Sequence, residues 1–386
     1  MEQTKKKILI VSDNMHIGGI QKALLEMLKK IENDYDIVLL LFQAKGKLLE
    51  EVPKSVKVIE TKSSYQYLGD AQGAWSGVKK YKRGFLALLT KIFGFRAVSF
   101  LLNLSTKKSK EEFDVAIAYT HNSHYKSFHG GVANYTLFKV KAKKKLCFIH
   151  CDYLRSKTYN AYNNKIYQKF DKIVCVSKSV KEGFVNLLPN MASKTVVLYN
   201  ALDEKRIIQL SQENTFKYDD KYINFLSVAR LSQEKGIDRA IRAFSKVGLK
   251  NGRYYVVGDG KEFENLKNLI AEKNLTDRVF LLGEKKNPYS YMKGANYLLV
   301  PSFHEAAPCV VQEAQLLNLP IITTDTLSAK EFIVSPNDGL VVENTDAGIE
   351  EGIRKALDGT LPIREKESKE RPYTNFLQDF NKIILE

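Results

Sequence analysis

Short, continuous apolar runs recur along this chain, and most are followed by a polar or glycine-bearing turn and a stretch of helical character. The first run is KILIVSD. The turn NMHIGGI follows, and then QKALLEMLKKI carries Ala23, Leu24, Leu25, Met27 and Leu28 at helical spacing. The runs DIVLLLF, VKVIE, DVAIAYT, KLCFIH and KIVCVS come next, with helical stretches between most of them. After KTVVLYNALD the pattern restarts: INFLSVA as a strand, RLSQEKG as a loop, IDRAIRAFSKV as a helix. YYVVGDG, VFLLG, NYLLVPS, PIITTD and GLVVE complete it. Strands buried on both faces and alternating with helices imply parallel sheets. The fold class is therefore α/β, with two successive doubly wound units. The chain turns polar near Asn200 to Asp219, and we place the domains at 1–200 and 201–365. Residues 366–386 end in an amphipathic helix expected to pack back across the domain boundary.

Length agrees with this division, since 386 residues suit two domains and 44% hydrophobic residues supply their cores. The net charge of +16, from 60 Lys+Arg against 44 Asp+Glu, favours an anionic partner, or else describes a solvated lysine-rich surface. Of the four cysteines, Cys147 and Cys151 flank His150, but no second pair stands at zinc-site spacing. Cys147 and Cys175 lie in strand-like runs and read as buried free thiols, which fits a reducing compartment. The N-terminus lacks a signal-peptide pattern, and no apolar run reaches the ~18 residues of a membrane span. A cytoplasmic protein is expected.

Ligands of open parallel sheets bind outside the carboxyl ends of the strands, so the loops there carry the chemistry. Gly18 and Gly19 sit between a strand and a helix start, where backbone N–H groups can face an anion; this is not a full dinucleotide fingerprint, and a tight turn alone would look the same. Arg230 and Lys235 flank the RLSQEKG loop and could neutralise a diphosphate, with Gly236 admitting the chain to the next helix. Gly258, Asp259 and Gly260 end another strand, as a ligand-facing or a plain turn. Glu305 follows NYLLVPS. Ala306 and Ala307 leave backbone open to a ligand, Pro308 suits the first turn of a helix, and Glu313 lies within it. Two carboxylates at this place suit the hydroxyls of a sugar and a ribose, or merely match a helix dipole. His150 ends its strand with Asp152 close behind. His16 and His304 occupy other candidate loops, and His121, His124 and His129 are expected on a helix flanking the cleft.

Taken together, these motifs resemble family 4 of the retaining glycosyltransferases. ARLSQEKG is similar to that family's R-x4-K-G loop, and Glu305 to Glu313 to its E-x7-E signature; VVGDG, GGIQKAL, FIHCDY and VCVSKSV match in order and place. The resemblance covers nearly the whole chain. It implies the GT-B architecture, two Rossmann-like domains facing a central cleft. It also implies residue roles. His150, Glu305, Arg230 and Lys235 would be the catalytic groups. Gly18, Gly19, Arg230, Lys235, Gly258, Asp259, Gly260, Glu305, Ala306, Ala307, Pro308 and Glu313 would bind the donor, with Glu305 on the sugar and Glu313 on the ribose. His16, Gly19, His121 and Asp152 would face the acceptor. No metal and no cofactor is implied, and the usual proposal of front-face attack leaves no protein nucleophile to name. The chain departs from the family pattern at Ala306 and Asn318, where glycine is frequent, and in TDTLSAKE, which lacks a Gly-Gly turn.

Residues 79–110 hold nine basic residues and no acid around an apolar stretch. They could rest on an anionic membrane surface or pack as two core helices with lysine-rich edges. With KVKAKKKL, they make the first domain the expected membrane face. The function that follows is transfer of a sugar from a UDP-sugar to a glycan acceptor, lipid-linked, in bacterial capsular or other surface polysaccharide synthesis, at the cytoplasmic face of the membrane. The alternatives are an epimerase-type or phosphorylase-type enzyme on a similar fold, or a basic nucleic-acid-binding protein; no nucleic-acid partner is expected.

Overall fold

The computed structural model describes residues 5–69, 75–248, 251–361 and 375–386. The chain divides into two compact units, one of Met1–Ala201 with Pro372–Glu386, the other of Leu202–Arg371.

Among the described residues, the first unit contains a seven-stranded sheet: β1 (Lys7–Ser12), β2 (Asp36–Leu41), β3 (Lys57–Glu60), β4 (Glu112–Ala118), β5 (Lys141–Ile149), β6 (Lys172–Cys175) and β7 (Thr195–Val197). Their order is β3-β2-β1-β4-β5-β6-β7, paired in parallel. β7 lies in KTVVLYN, which the apolar pattern leaves between the units. The last five residues of β1 and of β2 are buried, as a sheet covered on both faces requires. Cys147 and Cys175 are buried free thiols on β5 and β6.

The helix Phe376–Leu385 belongs to this unit and buries Phe376, Phe380, Ile383 and Ile384. Tyr35 packs edge-on against Phe380 and donates its hydroxyl to Asn381 Oδ1 at 2.7 Å. Lys144, on β5, donates to the carbonyl of Ile383 at 2.8 Å, a cation on a helix C-terminus. Lys143 pairs with Asp114 at 2.7 Å and Lys145 donates to the carbonyl of Leu137. Three lysines of KVKAKKKL are thus tied to groups of their own unit, and Lys143 stays 70% exposed in its pair.

The second unit repeats the plan with β8 (Ile223–Val228), β9 (Gly252–Val257), β10 (Val279–Gly283), β11 (Tyr297–Val300), β12 (Ile321–Thr324) and β13 (Gly339–Val342), in the order β10-β9-β8-β11-β12-β13. Its core stacks Phe244 on Tyr254, with Phe225 edge-on to Phe244 and Ile241, Ile349 and Ile353 around them.

Both sheets reverse their winding between the first and fourth strands, at β1/β4 and at β8/β11. Loops leaving the carboxyl ends of these strands diverge there and open a crevice. Gly18 and Gly19 follow β1 and His121 follows β4; Arg230 and Lys235 follow β8 and Glu305 follows β11. Candidate residues therefore stand on both sides of each switch point.

Candidate functional site

In the second unit, Lys235 and Glu305 meet. Lys235 Nζ donates to Glu305 Oε1 at 2.7 Å, and the Ser302 hydroxyl donates to the same oxygen at 2.7 Å. The Glu305 side chain is 9% exposed and that of Lys235 25%, so the pair is largely removed from solvent. Arg230 is more open and pairs with Glu234 at 3.5 Å. Burial pushes the Glu234 carboxyl up, but the Ser232 hydroxyl, its own backbone N–H and the charges of Arg230 and Lys235 outweigh that and hold it below its ordinary value. Gly236 enters the Ile237–Val247 helix at φ +62° beneath the carbonyl of Pro301, where a Cβ would lie 2.2 Å from the oxygen.

Gly258 and Gly260 are required by close packing of their turn. A Cβ on Gly258 would fall 1.8 Å from the carbonyl oxygen of Ala229, and one on Gly260 2.2 Å from that of Leu231. The missing side chains let this turn press against the loop after β8, to which it is also hydrogen-bonded through Leu231 and Asp259. The helix after the turn starts only at Phe263. Asp259 turns its carboxylate onto the N–H of Gly260 at 2.7 Å.

Glu313 lies inside the helix Cys309–Leu316, 5% exposed, and accepts from the Tyr289 hydroxyl at 3.1 Å. Pro308 is the residue just before this helix, in extended conformation, and Ala306 and Ala307 lie in the half-buried loop ahead of it. Asn318, where the family pattern has glycine, adopts φ +53°, a left-handed conformation asparagine tolerates better than other side chains.

In the first unit, the helix Gly19–Ile31 begins where expected, with Gly18 before it. A Cβ on Gly19 would meet no atom within 4 Å, so the backbone there borders open space. His16 is exposed, its N–H bonded to Asn14 Oδ1 at 3.0 Å. His121, His124 and His129 are not on a helix: they lie in the irregular segment between β4 and the helix Val132–Lys139. Gly130 and Gly131, both at positive φ, delay that helix.

His121 and His150 come together at the ends of the adjacent strands β4 and β5, the His150 N–H donating to His121 Nδ1 at 3.4 Å. Burial first, and the neighbouring His121 second, push the His150 imidazole down to about 3, so it is neutral at ordinary pH. A hydrogen bond to the backbone of Tyr119 occupies one side of the ring, and Nε2 is buried without a partner among the described residues. Burial acts to lower His121, but contact with Cys151 and the charge of Asp13 raise it. Asp152 accepts from the N–H groups of Leu154 and Arg155 with Oδ1, so that oxygen shapes its own turn.

Three functional candidates were not evident in the sequence. Asp13, just past β1, is raised by burial despite hydrogen bonds from its own loop, and its charge reaches His121 and His129. An acid directly after the first buried strand was its only signal. Ser302 and Tyr289, which orient the two glutamates, had none.

The sequence pattern of the family described as "Glycosyltransferase Family 4" matches residues 17–206, and that of "Glycosyl transferases group 1" matches residues 209–373. The chain belongs to glycosyltransferase family 4. An uncharacterised glycosyltransferase of Methanocaldococcus jannaschii is 29% identical over 221 residues, 52% of this chain and 53% of that protein. The N-acetylgalactosamine-N,N'-diacetylbacillosaminyl-diphospho-undecaprenol 4-alpha-N-acetylgalactosaminyltransferase of Campylobacter jejuni is 32% identical over 208 residues, 52% of this chain and 56% of that protein. The chain thus spans about half the length of these two relatives. HepE from Anabaena, solved in complex with UDP and glucose, superposes with a TM-score of 0.63 at 17% identity, covering 98% of this chain and 99% of HepE. Its likeness establishes the fold, GT-B, for this family 4 chain.

One surface remains. The helix Gly77–Phe93 buries only Thr90. Val78, Tyr81, Phe85, Leu88 and Ile92 recur at alternating spacings of three and four and are 55–79% exposed. Lys79, Lys80, Lys82 and Lys91 stand among them, also exposed. Phe100, Leu101 and Leu104 of the next helix, Phe95–Leu104, are exposed as well, while Phe95, Val98 and Leu102 anchor it. Only part of this segment therefore packs in a core. Among the described residues no helix is long and apolar enough to cross a membrane.

Proposed function

We propose that this protein is a retaining glycosyltransferase that moves a sugar from a UDP-sugar to a lipid-linked glycan acceptor in bacterial surface-polysaccharide synthesis. The observation that carries the reading is the Lys235–Glu305–Ser302 contact between the loops of β8 and β11. It joins a carboxylate that can accept sugar hydroxyls to a cation that can accompany the diphosphate of the same donor.

In this reading the acceptor hydroxyl attacks the anomeric carbon on the face the diphosphate leaves, as the anomeric C–O bond breaks. Its proton passes to the departing phosphate, so configuration is retained. Negative charge grows on the diphosphate, and fixed cations there stabilise the transition state more than the ground state. Arg230 and Lys235 fill that role, with the first turn of the Ile237–Val247 helix behind them. We assign the reaction no metal. Glu313 holds the ribose, with Tyr289 fixing its carboxylate. The neutral His150 Nε2 is an acceptor with no donor among the described residues, suited to a hydroxyl of the donor sugar.

A uridine nucleotide is supported by the likeness to HepE, which was solved with UDP and glucose. A lipid-linked acceptor is supported by the likeness to the Campylobacter relative, whose name specifies a diphospho-undecaprenol-linked substrate. The Gly77–Phe93 stripe supplies a physical route to such an acceptor: its apolar side chains enter the interface while its lysines meet anionic headgroups.

The test is product analysis with UDP-glucose, UDP-galactose, UDP-N-acetylglucosamine and UDP-N-acetylgalactosamine, offered with a polyprenyl-diphosphate-linked glycan. Transfer with retained anomeric configuration is expected from at least one donor. An inverted product, or no transfer and no donor hydrolysis from any sugar nucleotide, sinks the proposal.

A further inference from the structure

Arg239, on the helix Ile237–Val247, is a buried cation at 2% exposure. A buried charge is costly unless it is paired and hydrogen-bonded. Its Nε donates to Asp346 Oδ1 at 2.9 Å, and its Nη1 donates to Asn344 Oδ1 at 2.8 Å and to the carbonyl of Pro301 at 3.3 Å. The guanidinium lies 4.3 Å from the centre of the Phe303 ring. Pro301 and Phe303 flank Ser302, whose hydroxyl holds Glu305.

The other carbonyls of this short loop are held in the same manner. The Thr324 hydroxyl donates to the carbonyl of Ser302 at 2.5 Å, and Asn344 Nδ2 donates to that of Phe303 at 3.1 Å. Consecutive carbonyls of residues 301–303 are thus engaged by side chains from three places in the fold: the helix after β8, the end of β12, and the turn after β13. The Phe303 N–H adds a bond to the carbonyl of Glu234 at 2.9 Å, next to Lys235 in sequence.

We propose that Arg239, Thr324 and Asn344 form a three-point clamp on the carbonyls of residues 301–303, which sets the positions of Ser302 and Glu305 for the donor sugar. Arg239 is its central positioning residue. The inference rests on the reading of Glu305 as a sugar-binding group. Only a planar guanidinium can reach Asp346, Asn344, the Pro301 carbonyl and the Phe303 ring together; a lysine offers one point charge and cannot. Glu313 lies on another support, the Tyr289 hydroxyl and its own helix, so the clamp acts on the sugar and leaves the ribose contact in place.

The experiment uses full-length enzyme and the UDP-sugar that turns over fastest in the panel above. Arg239→Lys, Thr324→Val and Asn344→Ala are made alone and with Glu305→Gln, and UDP binding is measured by calorimetry for each. Arg239→Lys should lower kcat/KM for the donor by about ten- to a hundredfold, as displacing a catalytic group by a fraction of an ångström to one ångström does. Its Kd for UDP should stay within about threefold of wild type. In the Glu305→Gln background it should cost almost nothing further, because the two changes remove one function. Thr324→Val, which replaces only the hydroxyl with a methyl group, should repeat the pattern more weakly and keeps the test open if Arg239→Lys fails to fold. Losses that multiply across the Arg239 and Glu305 changes overturn the clamp, and so does UDP binding that weakens as much as transfer slows. Wild-type transfer by Glu305→Gln alone instead overturns the sugar-binding reading, and the clamp with it.

Discussion

His150 gives the chain an acid sensitivity of calculable size. Its imidazole is held near 3 by burial and by His121, whereas an unfolded chain would titrate it at its ordinary value of 6.5. Between those values the unfolded state binds the extra proton, so stability rises with pH across the window and is lost as pH falls. From pH 7 to pH 5 the unfolded imidazole goes from mostly neutral to almost fully charged while the folded one stays neutral. The linkage integral over that interval is about 2 kcal/mol of lost stability from this one group. The assay is urea unfolding of the full chain at both pH values, followed by near-ultraviolet circular dichroism, for wild type and His150→Gln. Glutamine can keep a hydrogen bond but cannot titrate. The wild type should lose about 2 kcal/mol more than the variant on going from pH 7 to pH 5. Equal acid sensitivity in the two proteins would show that His150 is not held neutral. The inference that Nε2 is a ready hydroxyl acceptor would fail with it.

Other consequences follow from single contacts. Glu305→Gln keeps shape but removes the charge facing Lys235 and Ser302; with charged hydrogen bonds contributing about 1.5–3 kcal/mol, kcat/KM should fall roughly ten- to hundredfold in a UDP-release assay. Reversing Lys79, Lys80 and Lys82 to glutamate should abolish flotation with phosphatidylglycerol vesicles, since each lysine near an anionic surface contributes about 1 kcal/mol. Undiminished flotation, or a wild-type dimer in sedimentation that buries this stripe, would remove the membrane reading. Gly258→Ala should destabilise the second unit by more than about 2 kcal/mol in thermal unfolding, because its Cβ would collide with the Ala229 carbonyl. Asn318→Ala, at φ +53°, should cost about 1 kcal/mol by the same measurement, and Asn318→Gly should cost less.

The fold was legible because parallel strands buried on both faces leave continuous apolar runs, and every run named as a strand in the sequence is one in the structure. β7 was not found. At three residues, between helical turns, it is too short to show a period. The sequence suggests a helix for the histidines after β4 because their segment has no strong turn dipeptide before Gly130 and Gly131. The exposed stripe on Gly77–Phe93 was ambiguous for a deeper reason. An amphipathic helix has the same periodicity whether its apolar face meets a core, a lipid surface or another chain, so only the burial of each side chain separates the readings.

The two glutamates show most sharply what spacing can and cannot carry. Their separation of eight residues is fixed by a loop and the turn of helix after it, which is why the motif is visible in one dimension. Their supports are not. Glu305 depends on Lys235, 70 positions earlier, and on a loop held by Arg239, Thr324 and Asn344. Glu313 depends on Tyr289, 24 positions earlier, and on the interior of a helix. Neighbours in sequence, the acids therefore have independent scaffolds, and on the proposed donor reading a change at Ala306 or in the 301–303 loop should alter recognition of the sugar while leaving the ribose contact in place. Donor preference in this chain should accordingly be sought in the loop after β11 and in its three distant carbonyl partners, not in the helix that carries Glu313.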